Sequence, residues 1–250
     1  MTYIKVDNAI IMAAGMANRF VPISNECPKA LLEVKGEILI ERQIRQLIEA
    51  GVVKIVVVVG YMKERFAYLQ EKFGVTIVAN AEYATRNNHS SIYAVKKYLK
   101  NSYICSADNY FSTNPFKSAE KEAFYSAVYV SGPTKEWCIT TNTTGDIIRV
   151  DVSGSDAWIM LGHVFWTQEF SERFLEILEG DYNTTAIKDK LWEAIYLDNI
   201  DVLKLKMKKY DDNIIYEFDS LKELEEFDVN YRYNCDDGVA CKMIRKGDER

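Results

Sequence analysis

The chain has 250 residues and a formal net charge of −6, with 31 Lys and Arg against 37 Asp and Glu. Neutralising a nucleic-acid backbone takes a clustered excess of cations, so this balance excludes a nucleic-acid surface and leaves small molecules as the phosphate-bearing ligands. No unbroken run of about 18 apolar residues occurs, and Met1 to Asp7 lack a basic-then-apolar leader pattern, so neither a membrane span nor a signal peptide is expected. Cys27, Cys105, Cys138, Cys235 and Cys241 are scattered without C-x-x-C spacing, which suits a reducing, cytoplasmic setting rather than a disulfide framework or a zinc cage.

The first apolar run, Asn8 to Ala13, has the length of a buried parallel strand and ends on Ala14-Gly15. Ile40, Ile44, Leu47 and Ile48 recur at helical spacing and stop at Gly51, after which Lys54 to Gly60 reads as a second buried strand. The alternation continues with a helix from Lys63 to Lys72, a strand from Val75 to Ala79, a helix from Ser90 to Leu99 and a strand from Tyr103 to Ala107. This order predicts an α/β fold with a doubly wound, mostly parallel, Rossmann-like sheet. From about residue 125 the order changes. Tyr125 to Val130, Trp137 to Thr141, Asp146 to Val152 and Trp158 to Phe165 read as successive antiparallel strands, an insertion in the second half. Helices from Glu169 to Leu178 and Thr185 to Leu197, strands from Val202 to Lys206 and Ile214 to Phe218, and a helix from Leu221 to Phe227 complete the chain. Residues 1–228 are expected to form one domain, and 229–250 an aperiodic tail.

Open parallel sheets bind ligands at the carboxyl ends of their strands. There the segment Ala13-Ala14-Gly15-Met16-Ala17-Asn18-Arg19 leaves the first strand through small residues, which let backbone N–H groups approach phosphate oxygens, and Arg19 adds a fork of donors. Pro28-Lys29-Ala30-Leu31 follows, with apolar residues that would tuck the segment against the core and turn Lys29 toward the same pocket. Taken singly these features have bland readings, since a glycine-containing first turn is common to doubly wound folds and Arg and Lys are usually solvated.

In combination they resemble the sugar-phosphate nucleotidyltransferase superfamily: Ala13-Ala14-Gly15 with Arg19, Pro28-Lys29-Ala30-Leu31, Gly60-Tyr61 and Ala107-Asp108-Asn109, in this order. Val59 to Glu64, Asn87-Asn88 with Ser91 and Tyr93, Ser106 to Tyr110, Glu136-Trp137, Phe165-Trp166 and Ile215 to Ser220 are closer still to the bacterial phosphocholine cytidylyltransferases. The resemblance implies a Mg²⁺-dependent transfer from CTP to phosphocholine, giving CDP-choline and pyrophosphate, with 1–124 as the nucleotide-binding half and 125–228 as the acceptor-binding half. It implies a nucleotide site at Ala13, Ala14, Gly15, Met16, Ala17, Asn18 and Asn88, catalytic roles for Arg19, Lys29 and Asp108, and metal ligation by Asp108 with Glu193. Such chemistry needs no protein base, because a phosphomonoester is largely a dianion at neutral pH and is already nucleophilic.

A quaternary ammonium makes no hydrogen bonds and is held by aromatic faces backed by carboxylates, which nominates Tyr110, Trp137, Trp158, Trp192 and Tyr216 with Glu217 and Asp219 for the acceptor, and Asn109 is assigned to the same site. Large aromatics in such a chain are also ordinary core residues. Ala17 stands where a second Gly is usual in the family, Ser106 where an extra Asp occurs, and Leu191 where an aromatic precedes the Trp. Those departures keep phosphoethanolamine and 2-aminoethylphosphonate in view as acceptors. Further alternatives are a sugar-1-phosphate uridylyl- or thymidylyltransferase and, outside enzymes, a nucleotide-binding regulatory module. A dinucleotide dehydrogenase or a P-loop enzyme is disfavoured by the absence of Gly-x-Gly-x-x-Gly and Gly-x-x-x-x-Gly-Lys-Ser/Thr.

Overall fold

The computed structural model describes residues 2–229, so the expected tail, all but its first residue, and Cys235 and Cys241 lie outside the described residues. In chain order the strands and helices begin with Ile4–Lys5 (β1), Asn8–Ala13 (β2), Glu33–Val34 (β3), Glu37–Ile38 (β4), Leu39–Glu49 (α1) and Ile55–Val59 (β5). They continue with Tyr68–Phe73 (α2), Thr76–Ala79 (β6), His89–Ala94 (α3), Ser102–Ser106 (β7), Asn109–Phe111 (β8), Ala119–Glu120 (β9) and Phe124–Thr141 (β10). Ile147–Trp166 (β11), Gln168–Asp181 (α4), Trp192–Asp198 (α5), Lys206–Tyr210 (β12), Ile215–Glu217 (β13) and Leu221–Phe227 (α6) follow. Seven strands form the main sheet in the order β12-β10-β11-β7-β2-β5-β6, and β11 alone runs against the others.

Period-two alternation along the buried strands sends neighbouring side chains to opposite faces. Ile11, Val57 and Val59 join one hydrophobic cluster with α1, while Ile10, Val56 and Val58 join a second with α4 and α5. Helices on both faces make the fold the expected doubly wound α/β sheet. No helix among the described residues is long and apolar enough to cross a membrane.

Three boundaries differ from expectation. The four antiparallel strands are one continuous hairpin, β10 and β11, which doubles back so that Cys138 is a register partner of both Asp151 and Ile159. Positive φ values at Gly132, Ser153 and Asp156 accompany the bend, and the folded-back tip bonds Ile147 N–H to the Leu205 carbonyl. The helix expected from Thr185 begins only at Trp192, because carbonyls of residues 188–190 are bonded by Asn87 and His89 instead of closing helical turns. The strand expected at Val202 to Lys206 is displaced to β12, since pairing with β10 starts at Phe124 with Lys206; its lysines guard the sheet edge.

Two features of the core carry testable consequences. Gly162 has φ +102°, and a Cβ there would lie 2.8 Å from Ile215 Cδ1, so this glycine lets β13 seat against β11. Gly162→Ala should lower stability by roughly 1–3 kcal/mol in denaturant titration through backbone strain and displacement of Ile215; unchanged stability would show that β13 seats independently of it.

His163 is fully buried among the rings of Tyr103, Phe111, Phe116, Phe124 and Tyr210. Burial, and then the nearby Lys208 ammonium, hold its pKa well below the usual 6.5. The unfolded chain therefore binds a proton that the folded chain refuses, and stability falls as pH drops below about 6.5, by up to about 1.4 kcal/mol per pH unit. His163→Gln should flatten that slope whatever its effect on absolute stability, and an unchanged slope would assign the acid sensitivity elsewhere.

Candidate active site

The site begins at the carboxyl end of β2. Beyond Ala14, the loop is anchored by Phe20, 2% exposed, while Ala17 adopts the left-handed conformation, φ 48° and ψ 49°. That geometry explains why a glycine suits this position, since a Cβ in the left-handed region costs about 1–2 kcal/mol. Gly15 has open space where its Cβ would be, and Ala13 and Ala14 are buried at its base. Asn18 contributes backbone to the turn; its side chain lies outside what is described. The neighbouring loop braces this one: Tyr61 N–H donates to the Ala14 carbonyl at 3.1 Å, and a Cβ on Gly60 would lie 2.8 Å from that same oxygen.

Lys29 follows Pro28 on a 3-10 turn, and buried Ala30, Leu31 and Leu32 pin that turn to the core. The Lys29 side chain, only 10% exposed, therefore points inward, with Nζ 5.0 Å from the centre of the Phe20 ring and 2.9 Å from Asp108 Oδ2. Asp108 sits in the tight connection between β7 and β8, with Ala107 N–H bonded to the Met12 carbonyl. Arg19 is exposed and makes a two-pronged ion pair with Asp219, with contacts of 2.8 Å and 2.8 Å. Lys29, Arg19, Asp108, Asp219, Phe20 and Ser106 all line a cleft of about 350 Å³. The triad nominated from sequence, Arg19, Lys29 and Asp108, thus meets in one place.

Acidic groups continue from this cleft into the second half. β13 pairs with β8 so that Glu217 stands opposite Asn109 and Tyr216 opposite Tyr110. Glu217 is exposed as a residue, yet the atoms around its carboxyl desolvate it, and repulsion from Asp108 helps push its pKa up to about 8. Half-buried Glu193, in the first turn of α5, is raised by burial to about 7, opposed by a 3.0 Å hydrogen bond donated by Asn88 Nδ2. Tyr125 is 7% exposed; burial and then both glutamates raise the pKa of its hydroxyl, which marks it as lying near the pair. Sequence reasoning missed Tyr125, for a tyrosine opening a strand carries no signal of its own.

Several nominated residues turn out differently. The Asn88 amide is engaged by α5: Oδ1 accepts from Trp192 N–H at 2.7 Å while Nδ2 donates to Glu193. Trp192 is a core residue, 2% exposed, stacked on Tyr125 and packed against Trp166 and Phe174, so its ring is covered by other side chains. Tyr110 is buried, with the Arg42 guanidinium over its ring and Phe227 at its edge, and Tyr216 packs on Phe227. Asn109 is buried and donates weakly to Glu217 at 3.4 Å, its own Oδ1 lacking a partner among the described residues. Trp137, on the folded-back part of β10, is half-buried against the cluster that holds Tyr125 and Trp192.

Comparison with known proteins identifies the family. The profile of the MobA-like NTP transferase domain matches residues 9–131. A choline-phosphate cytidylyltransferase of Streptococcus pneumoniae is 36% identical over 220 residues, 88% of this chain and 96% of that protein. A 2-aminoethylphosphonate cytidylyltransferase of Lancefieldella rimae is 36% identical over 230 residues, covering 90% and 94%. The solved structure of the CTP:phosphocholine cytidylyltransferase from Streptococcus pneumoniae superposes with a TM-score of 0.85 at 36% identity, covering 89% of this chain and 97% of that one. With nearly the full length of such relatives matched at this identity, the chain belongs to the bacterial cytidylyltransferases of the nucleotidyltransferase superfamily.

Proposed function

We propose that this enzyme transfers the cytidylyl group of CTP to the phosphate of phosphocholine and releases pyrophosphate. The observation that carries the reading is the Lys29–Asp108 pair beneath the small-residue loop, a buried cation and a carboxylate at the switch point of the sheet. An acceptor phosphate oxygen attacks the α-phosphorus in line, a new P–O bond forms, and the bond to the bridging oxygen of the β-phosphate breaks with pyrophosphate as leaving group. Lys29 and Arg19 hold the triphosphate and offset the charge gathered on the transferring group, while the loop's backbone donors orient it.

The acid set fits a divalent cation. Burial pushes the pKa of the Glu193 carboxyl up to about 7 and, with repulsion from Asp108, that of Glu217 up to about 8, and a cation arriving beside either would favour its charged form. Among the described residues no cluster of three or more His, Cys, Asp or Glu could enclose a metal ion. Mg²⁺ needs no such cage, since it takes one or two carboxylates and completes its shell with water and substrate phosphates. Asp108 with Glu193 would hold it, as the family resemblance implies, and Glu217 is the carboxylate whose charge state answers to Asp108. When bound, Mg²⁺ neutralises phosphate charge.

The acceptor's ammonium group would lie toward Trp137, Glu217 and Asp219. A second reading, an acceptor with a primary amine such as 2-aminoethylphosphonate, is favoured by the ring faces of Tyr110, Tyr216 and Trp192 being already covered and by Leu191 in place of an aromatic. Carboxylates recognise a primary ammonium through its N–H donors.

Lys29→Ala and Asp108→Ala should each lower kcat by about 10²-fold or more, on the order of 3 kcal/mol, with far-UV circular dichroism unchanged; full turnover in either would remove the pair from the chemistry. Trp137→Ala should raise KM for the acceptor more than for CTP, and an unchanged acceptor KM would return that ring to the core. Pyrophosphate release from CTP, UTP, dTTP and ATP against phosphocholine, phosphoethanolamine, 2-aminoethylphosphonate and glucose 1-phosphate decides base and acceptor together. Signal with CTP and phosphocholine is expected, and signal only with a sugar phosphate would overturn the reading.

A further inference from the structure

Three consecutive residues at the start of α3 grip the segment that leads into α5. Asn87 N–H donates to the Lys188 carbonyl at 3.2 Å and its Nδ2 to the Asp189 carbonyl at 3.0 Å. His89 Nδ1 bonds the Lys190 carbonyl at 2.8 Å, and Asn88 closes the row on Trp192 N–H and the Glu193 carboxylate. Arg86 adds a bond to the Tyr182 carbonyl at 2.7 Å, and the Tyr93 ring stacks on Tyr182 at 3.6 Å. The 182–191 connection has no regular secondary structure of its own, so these contacts fix it.

We propose that Asn88 is a positioning residue of the active site: its side-chain amide sets the first turn of α5 and thereby the place of the Glu193 carboxylate. The two ends of the amide divide the work. Oδ1 caps an α5 backbone N–H that has no intrahelical partner, and Nδ2 orients the carboxylate. One donor hydrogen and one acceptor lone pair of the amide are thus engaged within the protein, which fixes its plane and its orientation toward α5. The segment that holds Asn88 belongs to the first half of the chain and Glu193 to the second, so the contact also sets how the acceptor side meets the nucleotide side. Displacing a reacting group by about 1 Å costs on the order of 10²-fold in rate, which is why a residue outside the cleft can matter.

This inference rests on the proposed cytidylyl transfer, and wild-type pyrophosphate release must be established first; its absence with every acceptor would end that reading and leave the positional one to be judged by hydrogen exchange. Asn88→Ala should raise the acceptor KM, lower kcat, or both, by tenfold to a hundredfold, while the affinity for metal-free CTP without acceptor stays within twofold. Asn88→Asp keeps an oxygen for Trp192 N–H and sets a like charge against Glu193, so it should match the kinetic defect of Asn88→Ala with a nearly wild-type melting temperature. In the Asn88→Ala, Glu193→Gln double variant the defects should fall well short of the product of the single ones, as expected when one residue acts through the other. Exchange at the Trp192 amide should accelerate in Asn88→Ala and stay slow in Asn88→Asp. Weakened CTP affinity with an unchanged acceptor KM would make Asn88 a nucleotide contact and overturn the proposal. Wild-type kinetics in Asn88→Asp, multiplicative defects in the double variant, or unchanged exchange at Trp192 in Asn88→Ala would overturn it as well.

Discussion

The register of β2 between its two parallel neighbours is the constraint on which the site depends. Ala13 pairs with Val59 across one edge of β2, and Met12 with Ser106 across the other, so three chain segments leave the sheet at one height. Parallel strands in register deliver the small-residue loop, the Gly60–Tyr61 turn and the Ala107–Asp108 connection to the same edge, where their backbone groups can brace one another. A one-residue slip in any of these pairings would invert the faces of a strand and carry its loop away from the cleft. The apolar residues packed on both faces are what forbid that slip.

Electrostatics give the cleft its character. Both cations that would serve a triphosphate are paired within the protein, Lys29 with Asp108 and Arg19 with Asp219, while burial, joined at Glu217 by repulsion from Asp108, raises the pKa of Glu193 and Glu217. Such a site is arranged to exchange partners. In the proposed reaction a triphosphate would supply the negative charge that draws Lys29 and Arg19, leaving the carboxylates to face a metal ion or ammonium. The Arg19–Asp219 pair is exposed and inexpensive to break, whereas Lys29 is nearly enclosed over the Phe20 ring and keeps its position. The two cations therefore differ in exposure although they share a charge.

The legible and illegible parts of the chain follow this division. The strand-helix alternation up to Asp108 was readable because each buried strand is a short apolar run and α1 is an amphipathic helix, signals contained within a dozen residues. The positions of Arg19, Lys29 and Asp108 were readable because loops at strand ends in such a sheet have little choice of destination. In the second half the local signals misled. Residues 185–191 have a helical pattern that loses to hydrogen bonds from α3, and the hairpin reads as four strands because its bend comes from backbone conformation at Gly132, Ser153 and Asp156 rather than from breaker residues alone. The aromatics were ambiguous for a related reason: whether a ring faces a ligand or a neighbour depends on what packs against it, as the stacking of Tyr125 on Trp192 illustrates.

By itself the sequence determined the fold class, the edge of the sheet where ligands bind and the three charged residues gathered there, because hydrophobic periodicity and strand-end geometry act over short distances. Only the tertiary structure decided that Lys29 and Arg19 are held by separate aspartates, that Trp192 belongs to the core, and that the Asn88 amide serves α5. The two ion pairs and the Asn88 contact join residues about 80 to 200 positions apart, the separations of Lys29 from Asp108, Asn88 from Glu193 and Arg19 from Asp219. No local pattern encodes such a partner; it is chosen when two halves of the chain pack and each buried polar group must find a bond.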